Sequence, residues 1–489
     1  MREDSLKYMF SGTFPQVLAV LTCTVSAISD GMQYGWSAPV IPVLKHPDSP
    51  VKISESDEEW LESVYMLGGI AGLPVTIVLV DRIGRKNSMI CSAMASLIGW
   101  ILIGVGNTVE YLFVARFLTG LAGDVAFVAA PMYIAEIADK KIRGFLAGVI
   151  YLMMLVGILV IYSVAPFVPI YVSSIVGGII LCLQLCAFPY IPKSPYYLLS
   201  KGKYDKAKES LRKLRTNKDI DKEFEEIYSA VNRQKTEKGR PQDLILIKSN
   251  RKALIIMTVL NAAQHFSSIS VILMNLHDIL ERAGSAFMSP TTSGIVFAAV
   301  MLIAATAADF FVDKFGRKIL LTTSSLFTGL CLLVIAIYFT LQKMEYDVSN
   351  VSWIPIAAVM VYAAVFKYGL GMVPIVMTAE LFPTKVKAMG MTISDAMYLL
   401  FALISIELYQ SLSSRFGIDV PFYIFAASCL FTAAFSMLYI PETKGKTLEE
   451  IQFILKGEPF PQGEVPVNTE QNRNKLSSPL EAEFTSTHL

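Results

Sequence analysis

Two short turns in this 489-residue chain carry the same chemistry: Asp81-Arg82-Ile83-Gly84-Arg85-Lys86 and, 232 residues later, Asp313-Lys314-Phe315-Gly316-Arg317-Lys318. Each sets a carboxylate, a glycine able to take positive φ and a guanidinium at a helix end, suited to charge-assisted bonds with an acid on a neighbouring helix. The acids repeat as well. Glu136 precedes Arg143 by seven residues, and 244 residues on Glu380 precedes Lys387 by the same interval. A second group of charges, Asp30, Arg116, Asp124, Lys367, Asp395 and Glu407, interrupts otherwise apolar runs. An ionised group at a membrane-helix centre costs about 2.5–3.5 kcal/mol, so such residues face a partner or a cavity. No nucleophile–base pair, metal-ligand spacing or phosphate loop accompanies them, which disfavours an enzyme and leaves no metal or cofactor expected. The six cysteines fall in apolar runs and read as small buried hydrophobes.

The composition says which solvent the scaffold for these groups uses. Hydrophobic side chains make up 54% of the chain and charged ones 17%, and a mean hydropathy of +0.52 requires the lipid bilayer as partner. Lys plus Arg (42) nearly equals Asp plus Glu (41), which argues against a nucleic-acid partner, since that needs a basic excess. A bilayer core takes about 20 apolar residues per helix. Such runs lie at 14–38, 60–80, 88–105, 111–135, 144–165, 170–189, 253–276, 289–312, 319–341, 354–379, 390–411 and 420–440. Basic residues crowd the connections after even-numbered runs: Arg82, Arg85, Lys86, Lys140, Lys141, Arg143, Lys314, Arg317, Lys318, Lys385 and Lys387. The positive-inside rule then sets both termini in the cytoplasm of a multi-pass plasma-membrane protein. The charged N-terminus and long first run read as an anchor helix without a signal peptide. The glycosylation sequon at Asn350 falls in an outer loop.

A third pair, Pro192-Lys193-Ser194-Pro195 and Pro441-Glu442-Thr443-Lys444, ends runs 6 and 12 at an offset of 249. Three matches at nearly one offset imply two homologous halves, the pattern of carriers that rock two bundles around a central site. The expected fold is an all-α membrane protein with twelve transmembrane helices in two six-helix pseudo-symmetric halves. Its parts are a cytoplasmic tail 1–13, a half 14–192, a cytoplasmic linker 193–252, a half 253–441 and a cytoplasmic tail 442–489. Ion pairs from the repeated turns to Glu136 and Glu380 are expected to close the inside of the outward-facing state and to break on inward opening. In the linker, Tyr204, Ala207, Leu211 and Leu214, then Phe224, Ile227 and Val231, predict short amphipathic helices at the membrane surface. The composition beyond 457 predicts disorder, and the closing Thr487-His488-Leu489 suits PDZ-type strand addition.

Residues 14–456 resemble the sugar porter family of the major facilitator superfamily. The resemblance rests on the two Gly-Arg-Lys turns, Arg116-Phe117-Leu118-x-Gly120, Pro131-x-Tyr133-x-x-Glu136, Arg143-Gly144, Glu380-Leu381-Phe382-Pro383 and Pro441-Glu442-Thr443-Lys444-Gly445. The passages from Gly31 to Pro39 and from Trp60 to Lys86 are most similar to the insect branch called facilitated trehalose transporter-like. The resemblance implies a central cavity where amides bind sugar hydroxyls and aromatic faces stack on sugar rings. It assigns substrate contacts to Gln264, His265 and Ser270 on run 7, Tyr151 on run 5, Pro374 on run 10 and Tyr398 on run 11.

The same comparison exposes departures. The family's Gln-Gln-x-Ser-Gly-x-Asn reads Gln264-His265-Phe266-Ser267-Ser268-Ile269-Ser270, and the paired tyrosines beyond it are Met274 and Asn275. Gly-Pro-x-Pro-Trp reads Gly371-Met372-Val373-Pro374-Ile375, and Pro-Glu-Ser-Pro-Arg reads Pro192-Lys193-Ser194-Pro195-Tyr196. Lys387 stands where Arg is usual. Proton-coupled relatives pair the Arg at position 116 with an Asp on the first helix, and Asp30 sits about three residues before that place. Lys367 and Asp395 are able to meet across runs 10 and 11, with Asp124 facing either. The expected function is facilitative carriage of a sugar or related polyol, hexose or trehalose-like, by a monomer. A carrier of another small solute, a proton-coupled symporter and a non-transporting nutrient sensor stay open as alternatives.

Overall fold

The computed structural model describes residues 13–139, 142–215, 220–236, 240, 242–284, 287–383, 386–444, 446 and 448–459, without the side chains of 144, 233–236, 309–314, 379, 388, 448 and 449. Lys140, Lys141, Lys385, Gly445, the side chains of Asp313 and Lys314, and the terminal Thr487-His488-Leu489 lie outside the described residues. Among the described residues the regular structure is helical throughout, with twelve spans long and apolar enough to cross a membrane. Spans 1 to 6 are Phe14–Tyr34, Glu55–Arg82, Arg85–Val105, Val109–Ile137, Arg143–Val164 and Ile170–Ala187. Spans 8, 9, 11 and 12 are Pro290–Phe315, Arg317–Lys343, Lys387–Phe416 and Asp419–Tyr439.

Spans 7 and 10 are broken in mid-membrane. Span 7 runs Lys248–His265 and then Ile269–Ala283, and span 10 runs Ile354–Tyr368 and then Val373–Leu381. Pro374 explains the second break, because its ring enforces a new helix start. Backbone groups freed inside a bilayer must be satisfied by protein, and here the two breaks brace each other. The Tyr362 hydroxyl of span 10 donates to the Ser267 carbonyl at 2.8 Å, and the Gln264 amide of span 7 donates to the Leu370 carbonyl at 2.9 Å. Ser324 of span 9 closes the set by accepting the Leu370 N–H at 2.9 Å.

The turns between spans 2 and 3 and between 8 and 9 are built alike, on Gly84 (φ +84°) and Gly316 (φ +86°), a conformation that disfavours a Cβ. Asn350 is exposed between spans 9 and 10. The linker corrects one expectation. Its helices Tyr204–Leu214 and Ile220–Thr236 bury Ala207, Leu211, Ile227 and Val231 against Leu198 and Leu199, so these apolar faces cover each other and not the membrane. Three cysteines correct another: Cys91, Cys182 and Cys186 are exposed on helix faces, because a thiol is as well solvated by hydrocarbon as by a core.

Burial divides the molecule unevenly. One apolar cluster holds the second half together with Tyr34, Ala38, Tyr65, Met66, Leu155, Ile158 and Tyr162, residues from spans 1, 2 and 5 and the helix Ser37–Lys45. The cluster around Val20, Val80, Met89, Ile134 and Ile150 contains first-half and linker residues alone. The halves therefore share a core toward the ends of the spans remote from the repeated turns and have separate cores at the ends that carry those turns. Span 1 also locks against span 5 within the first half. A Cβ on Gly31 would sit 1.9 Å from the Met154 carbonyl oxygen, and one on Gly157 1.9 Å from that of Ile28. Gly157→Val should therefore cost about 3 kcal/mol, read as a lowered Tm and a loss of monodisperse protein in detergent.

Candidate functional site

Charge organises the end of each half that carries the repeated turns. Arg85 pairs with Glu136 at 2.7 Å and Arg317 with Glu380 at 3.0 Å. Thr443 donates to the other Glu380 oxygen at 2.6 Å. Both pairs lie within a half, so each ties a helix end to its own bundle. Lys387 lies within electrostatic range of Glu380 in its own half and of Arg143 in the other.

In the second half Glu442 lies on the turn itself. Its carboxylate accepts the Arg317 N–H at 2.9 Å and the Lys318 N–H at 3.1 Å, neutralising orphan donors at the start of span 9. In the first half Lys193 occupies the corresponding place, and the turn is held differently. Tyr197 packs on Gly84 and donates to the Arg82 carbonyl at 2.9 Å, while Lys86 donates to the carbonyls of Pro189 (2.6 Å) and Ile191 (2.5 Å). Asp81 and Arg82 flank this turn.

The residues assigned to substrate contact fall into two sets. Gln264, His265 and Ser270 are buried and engaged with protein: Gln264 on Leu370, and His265 Nδ1 on the Ser270 hydroxyl at 2.8 Å, which in turn meets the Tyr34 hydroxyl at 2.9 Å. Pro374 is also buried. Tyr151 and Tyr398 remain half-buried, Tyr151 edge-on to Phe127 and Tyr398 edge-on to His265 at 4.3 Å. The break in span 7 thus turns one set of polar groups inward to satisfy backbone and neighbours, and leaves the second set facing the space between halves.

The membrane charges resolve as follows. Asp124 accepts from Thr76 of span 2 at 2.6 Å, and Asp395 lies within electrostatic range of it from the opposite half. Lys367 lies 5.6 Å from the Phe366 ring centroid, and among the described residues no ion pair links it to Asp395, because span 10 breaks one residue beyond it. Arg116 is fully buried. It donates to Gln33 O (2.5 Å), Gln33 Oε1 (3.2 Å) and Leu61 O (3.2 Å), and lies 4.3 Å from the Tyr65 ring centroid and 5.2 Å from that of Trp36. Asp30 makes no ion pair with it among the described residues and faces Gly123 of span 4 instead.

The outer seam joins the halves through polar bonds as well as the shared core. Ser63 donates to Glu407 at 2.5 Å, Asn275 to Glu62 at 3.1 Å, Gln410 to Glu62 at 3.3 Å, and the Tyr162 hydroxyl to the Leu273 carbonyl at 2.7 Å. Glu62 is 1% exposed. Sequence reasoning missed it because it sits two residues inside a run scored as nearly clean. The signal was its place two turns below the acidic start of span 2.

Residues 17–455 match the family model described as "Sugar (and other) transporter". The chain belongs to this family of transporters. It is 27% identical over 447 residues to the facilitated trehalose transporter Tret1 of Aedes aegypti, covering 90% of this chain and 55% of that protein, so it spans about half the length of that relative. With Tret1 of Culex quinquefasciatus it shares 26% identity over 445 residues, covering 90% and 86%. Among solved structures, the proton:xylose symporter XylE bound to 6-bromo-6-deoxy-D-glucose matches at a TM-score of 0.70 and 22% identity, over 89% of this chain and 99% of that one. That likeness establishes the major facilitator fold.

For a sugar transporter family member, the Arg116 site has an informative occupant. Gln33, three residues after Asp30, stands where proton-coupled relatives carry an acid, and an amide cannot release a proton. Ser268 is informative too. It stands at the glycine of the span 7 motif, adopts φ +72°, and its buried hydroxyl has no partner. Ser268→Gly removes a left-handed Cβ and no hydrogen bond, and should stabilise this conformation by about 1 kcal/mol, measured as a rise in Tm. The Glu442 carboxyl provides a pH test. Burial pushes it up, but the N–H groups of Lys444, Arg317 and Lys318 and the Arg317 charge outweigh this and hold it below the ordinary 4.5. Its contribution is present above that value and lost as pH falls through the lower folded value. Glu442→Gln should therefore lower Tm at neutral pH, and the gap from the parent should narrow on acidification below about pH 4.5.

Proposed function

We propose that the protein carries a sugar or related polyol, hexose or trehalose-like, across the plasma membrane by alternating access and without energy coupling. One observation carries this reading. The two halves are joined by a core and a polar seam toward the outer ends of the spans, while their cytoplasmic cores are separate and partly accessible Tyr151 of the first half lies within electrostatic range of Asp395 of the second. That is the geometry of a carrier closed on one side around a central polar site. The termini and linker are cytoplasmic in this reading, which puts Asn350 outside. The Tret1 relatives favour a sugar substrate, and Gln33 beside Arg116 favours uncoupled transport.

A second reading, a carrier for a charged solute, draws on Asp124, Lys367 and Asp395, which make no ion pair with one another among the described residues. Uptake of labelled sugars, polyols and charged solutes into proteoliposomes separates the two. The expected result is saturable flux of a neutral sugar, unchanged by a protonophore or by acidic external pH, with Tyr151→Phe lowering kcat/KM about fivefold for the loss of one hydrogen bond to the substrate. Saturable flux confined to charged solutes sinks the leading reading, and protonophore-sensitive sugar flux sinks its uncoupled form.

A further inference from the structure

A cavity of about 50 Å³ opens at the outer seam, between the helix Ser37–Lys45, the first turns of span 2 and the outer piece of span 7. Met274 and Asn275, which line it, stand where the family's paired tyrosines belong, so two rings are absent from this wall. Two buried oxygens line the same cavity without a hydrogen-bond partner: Oε1 of Glu62 and Oγ of Ser37, on residues 1% and 0% exposed. Asn275 and Gln410 both donate to Glu62 Oε2, which leaves Oε1 bare.

The other charges around the cavity are already matched. Lys45 pairs with Glu58 at 2.5 Å, Arg282 with Asp278 at 2.8 Å, and His277 lies 4.0 Å from Glu281. Arg116 donates to Gln33 and Leu61, keeps one buried nitrogen without a hydrogen-bond partner, and lies within electrostatic range of Glu62 without contacting it. Glu62 makes no contact ion pair among the described residues, and its bare Oε1 and the bare Ser37 Oγ turn two acceptors toward one cavity, an arrangement that favours a small positive ligand. The size and donor set narrow the choice. Among the described residues no three His, Cys, Asp or Glu converge as a metal site, which argues against a divalent ion. One carboxylate oxygen, one hydroxyl and a water or two suit a small cation of single charge, and the volume excludes a bulky organic one.

We infer that this cavity is a binding site for a small monovalent cation, Na⁺, K⁺ or ammonium, held by Glu62 Oε1 and Ser37 Oγ. Both ligands belong to the first half, while the amides that orient Glu62 belong to the second, so occupancy strengthens the outer seam and favours the conformation seen here. The inference is independent of which solute is carried.

Its test needs no transport. Purified full-length protein is melted at constant ionic strength in NaCl, KCl, NH₄Cl or N-methyl-D-glucamine chloride. At least one small cation should raise Tm saturably, by about 2 °C at ten times its Kd, with N-methyl-D-glucamine inert. Glu62→Gln should abolish the response, whereas Glu407→Gln, which touches the seam but not the cavity, should keep it. Should Glu62→Gln not fold, Ser37→Ala should weaken the response in its place. Equal melting in all four chlorides overturns the inference. So does a rise that survives Glu62→Gln, or one reproduced in N-methyl-D-glucamine by lowering pH, which would make the ligand a proton.

Discussion

The outer piece of span 7 is the element on which the arrangement depends. It begins at a serine held in the left-handed region and carries Ser270, Leu273 and Asn275, whose groups reach Tyr34, Tyr162 and Glu62 of the other half. A continuous helix through this point would leave no independent lever, and a free break would expose backbone in the bilayer interior. The bonds to and from the span 10 break answer that constraint, because each interruption supplies the side chain that satisfies the other. Two weak points thereby become one braced joint, and the seam above it can form or part while the helices below keep their hydrogen bonds.

The elements most legible in the sequence are those whose cause is local. Apolar runs give spans because each must match the bilayer thickness, and the glycines of the repeated turns give positive φ because the chain reverses there without room for a Cβ. The acids at 136 and 380 were legible for a different reason: the same spacing recurs in both halves beside the same repeated turns, so repetition marked them as partners of Arg85 and Arg317. What the sequence hides is the identity of partners across helices. Arg116 takes Gln33 and not Asp30, Asp124 takes Thr76, and Lys367 stays apart from Asp395. These pairings are set by helix rotation, which leaves no mark on spacing within one helix. The linker shows a related limit: periodicity reveals an apolar face but is silent on whether lipid or a sister helix covers it.

Glu62 shows how a buried charge escapes hydropathy. Near the end of a span, a carboxylate is read as belonging to the water layer, because the average over a window forgives it. Whether it is wet depends on the facing helices, and here Asn275 and Gln410 approach from the second half and close over it. A tyrosine at 275 would fill the cleft with a ring; the smaller amide donates a bond and leaves a cavity. One substitution thus changes the seam from an aromatic lid into a polar site with an unmet acceptor.

The two cytoplasmic turns take this reasoning further, because near-identical motifs are stabilised by different means. In the second half an acid sits on the turn glycine and accepts two backbone N–H groups, so the end of span 9 is fixed by charge-assisted bonds within a single carboxylate's reach. In the first half a lysine replaces that acid, and the turn rests on a tyrosine ring and on Lys86 gripping two carbonyls. A carboxylate on paired N–H groups is directional and responds to protons, whereas a ring against a glycine and an ammonium on carbonyls are tolerant of small shifts. The first half therefore has the more compliant inner end. Lys387 lies within electrostatic range of Glu380 in its own half and of Arg143 in the other, and the attraction to the acid is the larger of the two effects.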